Sequence, residues 1–183
     1  MRDELLGSIH PVLSISLEPG ESVLGTSSRF AWMTDSIRLT PGRLDQPDGL
    51  ALSEYTATGT QGAVAFATWR PGRVLSVDAA AGHLISRPGF LAGTSGVRVL
   101  PAYGHGHGLM LWQITGSGHA WVGLAGDVVE RELTASQALR AQQEHIGMFV
   151  PTVTIQVTGD RGICVLSGPG TIWLQSRSGN HDE

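Results

Sequence analysis

Apolar and polar residues alternate in short runs along this chain, and each run stops at glycine, proline or aspartate. Val12–Leu17 is such a run, closed by the turn signal Glu18-Pro-Gly20-Glu21 and followed by Ser22–Leu24. Phe30–Met33, Ile37–Leu39, Leu52–Thr56 and Ala63–Trp69 continue the pattern, as do Arg73–Asp78, His83–Arg87, Phe90–Ala92 and Val153–Val157. Period-two alternation over four to eight residues, bounded by turn formers, predicts half-buried strands. Two passages are alike in detail. Leu109–Thr115 leads through Gly116-Ser-Gly118 into His119–Leu124, and Gly162–Ser167 leads through Gly168-Pro-Gly170 into Thr171–Ser176. Each reads as a β-hairpin, with Trp121 or Trp173 three places after the last glycine.

The two passages stand 52 positions apart, and the rest of the chain falls into register with them. Leu24 lies over Leu84, Phe30 over Phe90 and Ile37-Arg-Leu39 over Val97-Arg-Val99, at an offset of 60. Leu133 lies over Val77, Ile146 over Phe90 and Ile155 over Val99, at an offset of 56. Self-similarity at a fixed period is the mark of a repeat architecture. Residues 11–178 are therefore expected to form a single all-β domain of three pseudo-repeats, about 11–68, 69–125 and 126–178. Residues 1–10 read as a lead-in and 179–183 as a polar tail. The stretch from Glu130 to Glu144 is rich in strong helix formers and, judged alone, is an amphipathic helix. The repeat requires strand–turn–strand over 130–145, and that reading is preferred, with room for one helical turn around Ser136–Leu139.

Composition narrows the function classes. The chain has 183 residues, 41% hydrophobic and 15% charged, and a net charge of −4. All twelve basic residues are arginine, so the basic footprint of a nucleic-acid binder is missing. The lone Cys164, set between Ile163 and Val165, forms no intrachain disulfide and reads as a small buried residue. The start, Met1 to Leu6, lacks the apolar core of a signal peptide, and no window approaches a membrane span. A cytoplasmic protein is expected.

Glu18-Pro-Gly-Glu-Ser-Val23, Phe90-Leu-Ala92, Leu139–Phe149 and Gly168-Pro-Gly-Thr-Ile-Trp-Leu-Gln-Ser176 together resemble the altered-inheritance-of-mitochondria family, over about residues 12–177. Two departures stand out: the glycine-rich loop of the first third is shortened to Pro41–Gly49, and the strand near Leu139–Gln143 is helix-prone. The resemblance implies units of β-sandwich or double-stranded β-helix type, as in the tryptophan RNA-binding attenuator protein. It implies no reaction.

Candidate chemistry is sparse. His105-Gly-His107 could share a metal, as in cupin-like enzymes, but no carboxylate follows at 108–112 and the stretch reads as a surface loop. Asp45 and Asp48 do not match a calcium loop and read as turn residues. Gly116-Ser-Gly118 lacks the strand–helix elbow of a nucleophilic serine. Glu130, Glu132 and Glu144 read as solvated, and the tryptophans at 32, 69, 112, 121 and 173 mostly as core. The expectation is a non-enzymatic β-scaffold or binding module with no catalytic residue, metal or cofactor. The alternatives are a cupin-like metal enzyme using His105 and His107, and an RNA-binding protein by fold analogy. Protein partners are open, nucleic acid is not expected, and the chain should form a homo-oligomer, a trimer by the resemblance. Two sequence features argue for self-association. The runs Leu109–Trp112, Ile163–Leu166 and Ile172–Leu174 look covered on both faces, and an array of repeats leaves open strand edges that need pairing.

Overall fold

A computed structural model describes residues 1–42, 50–102, 110–158 and 162–178. It is all-β: nineteen antiparallel strands and four single-turn 3-10 segments, with no α-helix among the described residues. The strands are β1 Arg2–Leu6, β2 Val12–Leu17, β3 Ser22–Thr26, β4 Phe30–Met33, β5 Ile37–Thr40, β6 Leu52–Ala57 and β7 Gly62–Ala67. Then come β8 Gly72–Asp78, β9 Leu84–Ser86, β10 Phe90–Thr94, β11 Val97–Ala102, β12 Leu111–Gly116 and β13 His119–Ala125. The last are β14 Val128–Leu133, β15 Ala138–Gln142, β16 Ile146–Phe149, β17 Thr154–Thr158, β18 Ile163–Ser167 and β19 Gly170–Gln175. The helix-prone stretch 130–145 is strand, turn and strand. Its one helical turn falls at Gln143–His145, later than Ser136–Leu139.

The strands make four sheets: β1-β2-β7-β4, β5-β6-β3-β10-β13-β8, β11-β12-β9-β16-β19-β14, and β15-β18-β17. Three hydrophobic clusters separate them in order. Leu13, Ile15 and Phe66 of the first sheet meet Val23, Tyr55 and Trp121 of the second. Phe90 and Val122 of the second meet Trp112, Ile114 and Met148 of the third. Ile146, Phe149 and Ile172 of the third meet Cys164, Leu166 and Ile155 of the fourth. Successive side chains of a strand point to opposite faces, so an inner sheet feeds two cores at once. In β13, Trp121 enters the first cluster, while Ala120, Val122 and Leu124 enter the second.

That layering corrects two expectations. The runs around Gly116–Gly118 and Gly168–Gly170 are not hairpins: β12 and β13 lie in different sheets, as do β18 and β19. The turn carries the chain from one layer to the next. Gly116 has φ +102°, and a Cβ there would stand 2.1 Å from the Gly96 carbonyl oxygen, so only glycine fits the corner. The hairpins among the described residues are β1–β2, β5–β6, β11–β12 and β17–β18. Secondly, the near-continuous apolar strands β12 and β19 find both their covers within one chain: Leu111 and Ile172 in the third cluster, Trp112 and Trp173 in the second. Two-faced burial therefore does not call for a second copy.

Arg2–Leu6, a lead-in by sequence, is a strand in full register with β2, from Arg2 opposite Ser16 to Leu6 opposite Val12. Three 3-10 turns, Ser27–Arg29, Arg87–Gly89 and Gln143–His145, run directly into β4, β10 and β16. Each of those strands then carries a bulge at the same step, Phe30/Trp32, Phe90/Ala92 and Ile146/Met148.

Candidate functional site

Of the residues that sequence put forward for chemistry, those described do not converge. His105, His107, Asp45 and Asp48 lie outside the described residues. Among the described residues no three of His, Cys, Asp and Glu gather as a metal set. Cys164 is fully buried in the third cluster, and burial pushes its thiol pKa up, away from the nucleophilic thiolate. Ser117 sits in the corner turn, with its N–H donated to the Gly96 carbonyl. Glu130, read as solvated, accepts a 2.9 Å bond from Trp173 Nε1. Glu144 accepts from the Ser178 hydroxyl. Among the described residues no helix is long and apolar enough to cross a membrane.

Polar groups missed by sequence hold the thirds of the chain to one another. Arg29 is buried where β10 meets β3. Its Nη2 donates to the Pro88 carbonyl at 3.3 Å, its guanidinium lies 4.7 Å from the Trp69 ring centre, and burial lowers its pKa. Gln175 is buried at the end of β19. Its Oε1 accepts from Ala125 N at 3.0 Å and its Nε2 donates to the Glu144 carbonyl at 2.8 Å. The Trp-Leu-Gln signature thus ends in a clamp between β13 and the turn before β16. His83, just before β9, is buried edge-on to Trp173 at 5.6 Å, and desolvation lowers its pKa against the opposing pull of Asp78.

The exception to this internal satisfaction is β4. Among the described residues it pairs only with β7, whereas β10 pairs with β13 and β3, and β16 with β19 and β9. Its side chains are apolar and open to solvent: Phe30 37%, Trp32 42% and Met33 37% exposed. At the far end of the stack β15 pairs only with β18, while β3 and β9 each pair on both sides. Among the described residues no strand pairs with the second edge of β4 or of β15.

A family model described as mitochondrial biogenesis AIM24 matches residues 4–177. The chain belongs to the AIM24 family. That description names a process and no reaction. Among curated proteins no relative matches. A structural-genomics protein of Streptococcus pyogenes is similar in structure, with TM-score 0.81 over 97% of this chain and 94% of that one, at 15% identity. At that identity the likeness shows a common fold for this AIM24 chain and carries nothing further.

Proposed function

We propose that the chain is a non-enzymatic β-scaffold of three pseudo-equivalent units, about 11–68, 69–125 and 126–178, which associates with further copies of itself into a closed ring. The unit would be of the kind found in the tryptophan RNA-binding attenuator protein, and three copies is the favoured number. The observation that carries this reading is the mismatch of the sheets. Each six-stranded sheet joins three strands of one third to three of the next: β5-β6-β3 to β10-β13-β8, and β11-β12-β9 to β16-β19-β14. The end sheets are halves of the same pattern. β15-β18-β17 lacks a following trio, and β4-β7-β2 lacks a preceding one and is extended only by β1. A second copy supplies what each half lacks, and closed symmetry treats every copy alike. An exposed apolar edge left alone invites uncontrolled pairing. The non-enzymatic part is supported by the uses already found for the candidate groups: Cys164 in a core, Glu130 on Trp173.

Light scattering coupled to size exclusion at micromolar concentration tests the reading. About three times the chain mass of 19.3 kDa is expected. A dimer removes the ring and keeps edge pairing; a monomer removes self-association altogether.

A further inference from the structure

We infer that Trp32 is the residue that seals one copy onto the next, entering the third core of a second copy with β4 paired to that copy's β15, Trp32 opposite Ala141. This rests on the self-association proposed above and fixes its surface and register.

The two junctions inside the chain define the register independently. In the first, Ala92, Gly93 and Thr94 of β10 stand opposite Gly25, Leu24 and Val23 of β3. In the second, Met148 and Phe149 of β16 stand opposite Ile85 and Leu84 of β9. The offsets of 60 and 56 carry Ala92 and Met148 onto the same residue, Trp32. They carry Gly25 and Ile85 onto the same residue, Ala141. Both junctions therefore give Trp32 opposite Ala141 and Met33 opposite Arg140.

The side chains agree with the backbone. Across each bulged strand sits one more residue of the same layer: Ala92 faces Trp121, Met148 faces Trp173, and Trp32 faces Ala65. Each position thus holds one tryptophan, but in the first third it has moved from the β7 side to β4. Ala92 and Trp121 fill the first cluster, which the preceding third otherwise builds; Met148 and Trp173 do the same for the second. The third cluster receives no such pair, although Leu139 and Ala141 of β15 pack against it. Trp32 is 42% exposed where Trp121 is 4% exposed. Edge strands are normally guarded by charge, proline or brevity. β4 holds neither charge nor proline, whereas β1 shows Arg2, Asp3 and Glu4, and β14 shows Glu130, Arg131 and Glu132. An apolar edge beside guarded ones is built to be covered.

The test combines mass with crosslinking. A chain carrying Met33→Cys and Arg140→Cys, the in-register pair that leaves Trp32 in place and lies opposite Val165 rather than Cys164 in β18, is expected, when oxidised at assembly concentration, to give covalent multimers on a denaturing gel. Opposed residues of paired strands have the spacing a disulfide needs. Met33→Cys with Leu139→Cys, one step out of register, should give none; Leu139 lies opposite Leu166, and Cys164 is buried in both variants. Trp32→Asp should raise the dissociation constant by about 30-fold or more, as loss of a tryptophan anchor does. If the unsubstituted chain is monomeric, the self-association reading itself fails. If it is multimeric, yet Trp32→Asp assembles normally or the in-register pair does not crosslink between chains, the Trp32 junction is wrong and the assembly uses another surface.

Discussion

β4 and β10 are close to being the same strand in two settings. Each follows a 3-10 turn, opens on phenylalanine, bulges at the second step and pairs with a strand from the end of its own third. β10 is buried from Phe90 to Gly93 because β3 covers its other edge and the first cluster receives Leu91 and Ala92. β4 is exposed throughout. The composition of the two strands does not explain the difference, since Phe-Ala-Trp-Met is at least as apolar as Phe-Leu-Ala-Gly. Burial here is conferred by the neighbouring third, and among the described residues β4 pairs with no strand of another third.

The comparison can be broken most directly at its phenylalanines. Phe90→Ala removes a fully buried ring and should cost about 3–5 kcal/mol. Phe30→Ala, measured at a dilution that dissociates any assembly, should cost roughly 1–2 kcal/mol, because that residue is already 37% exposed, with its ring stacked on Tyr55 at 5.6 Å between centres. Urea unfolding of both variants decides the matter, and equal losses would mean that β4 is as well covered as β10. The tryptophans sharpen the same contrast. Trp121→Ala should cost about 3–5 kcal/mol at every protein concentration. Trp32→Ala should cost about 1 kcal/mol or less in dilute solution and more as concentration rises, since binding that favours the folded state adds to stability by mass action. A concentration series of thermal melts reads this directly.

The smallest effect lies at the junction of the second and third cores. His83, at the register position that Val23 holds in the first third and Leu139 in the last, has a folded pKa pushed below the ordinary 6.5 by burial. The unfolded chain therefore binds the proton more readily. Stability should be complete above about pH 6.5 and fall as the pH drops from there toward the depressed folded value. His83→Leu should flatten that part of the profile, seen as denaturation midpoints at pH 5 and pH 7. An unchanged slope would place the acid sensitivity in other groups.

Much of the strand content was legible because alternation is local. Val12–Leu17 was read to the residue, and the strand nature of 130–145 followed from register against a strong helical composition. Strand partners were not legible, because alternation states which side chains turn inward and says nothing about which backbone lies alongside. Gly116-Ser-Gly118 looked like a hairpin for that reason. A glycine-rich corner between layers and a glycine-rich hairpin ask for the same positive φ angles, and only the pairing separates them. Double-faced strands such as β12 were recognised as covered, but the cover was sought in another molecule because a stack of four sheets within one chain was not foreseen. Arg29 and His83 carried no local signal. Each is a single polar residue whose meaning depends on a residue far along the chain, Pro88 for Arg29 and Trp173 for His83. Gln175 did leave a trace, as the last residue of Trp-Leu-Gln.

The sharing of sheets between thirds has a consequence for the order of events as the chain is made. Gly25 must wait for Ala92, its partner across the first junction, and at ribosomal rates of about 5–20 residues per second that wait lasts roughly 3–13 s. During it the first third stands with one sheet half built. The β3 edge is rescued by synthesis itself, on a schedule set by the ribosome. The β4 edge emerges directly after it and is rescued on no such schedule, because in the proposed assembly its cover arrives by diffusion from another finished chain. Maturation of the proposed assembly is thus timed by translation at its inner seams and by abundance at its outer one.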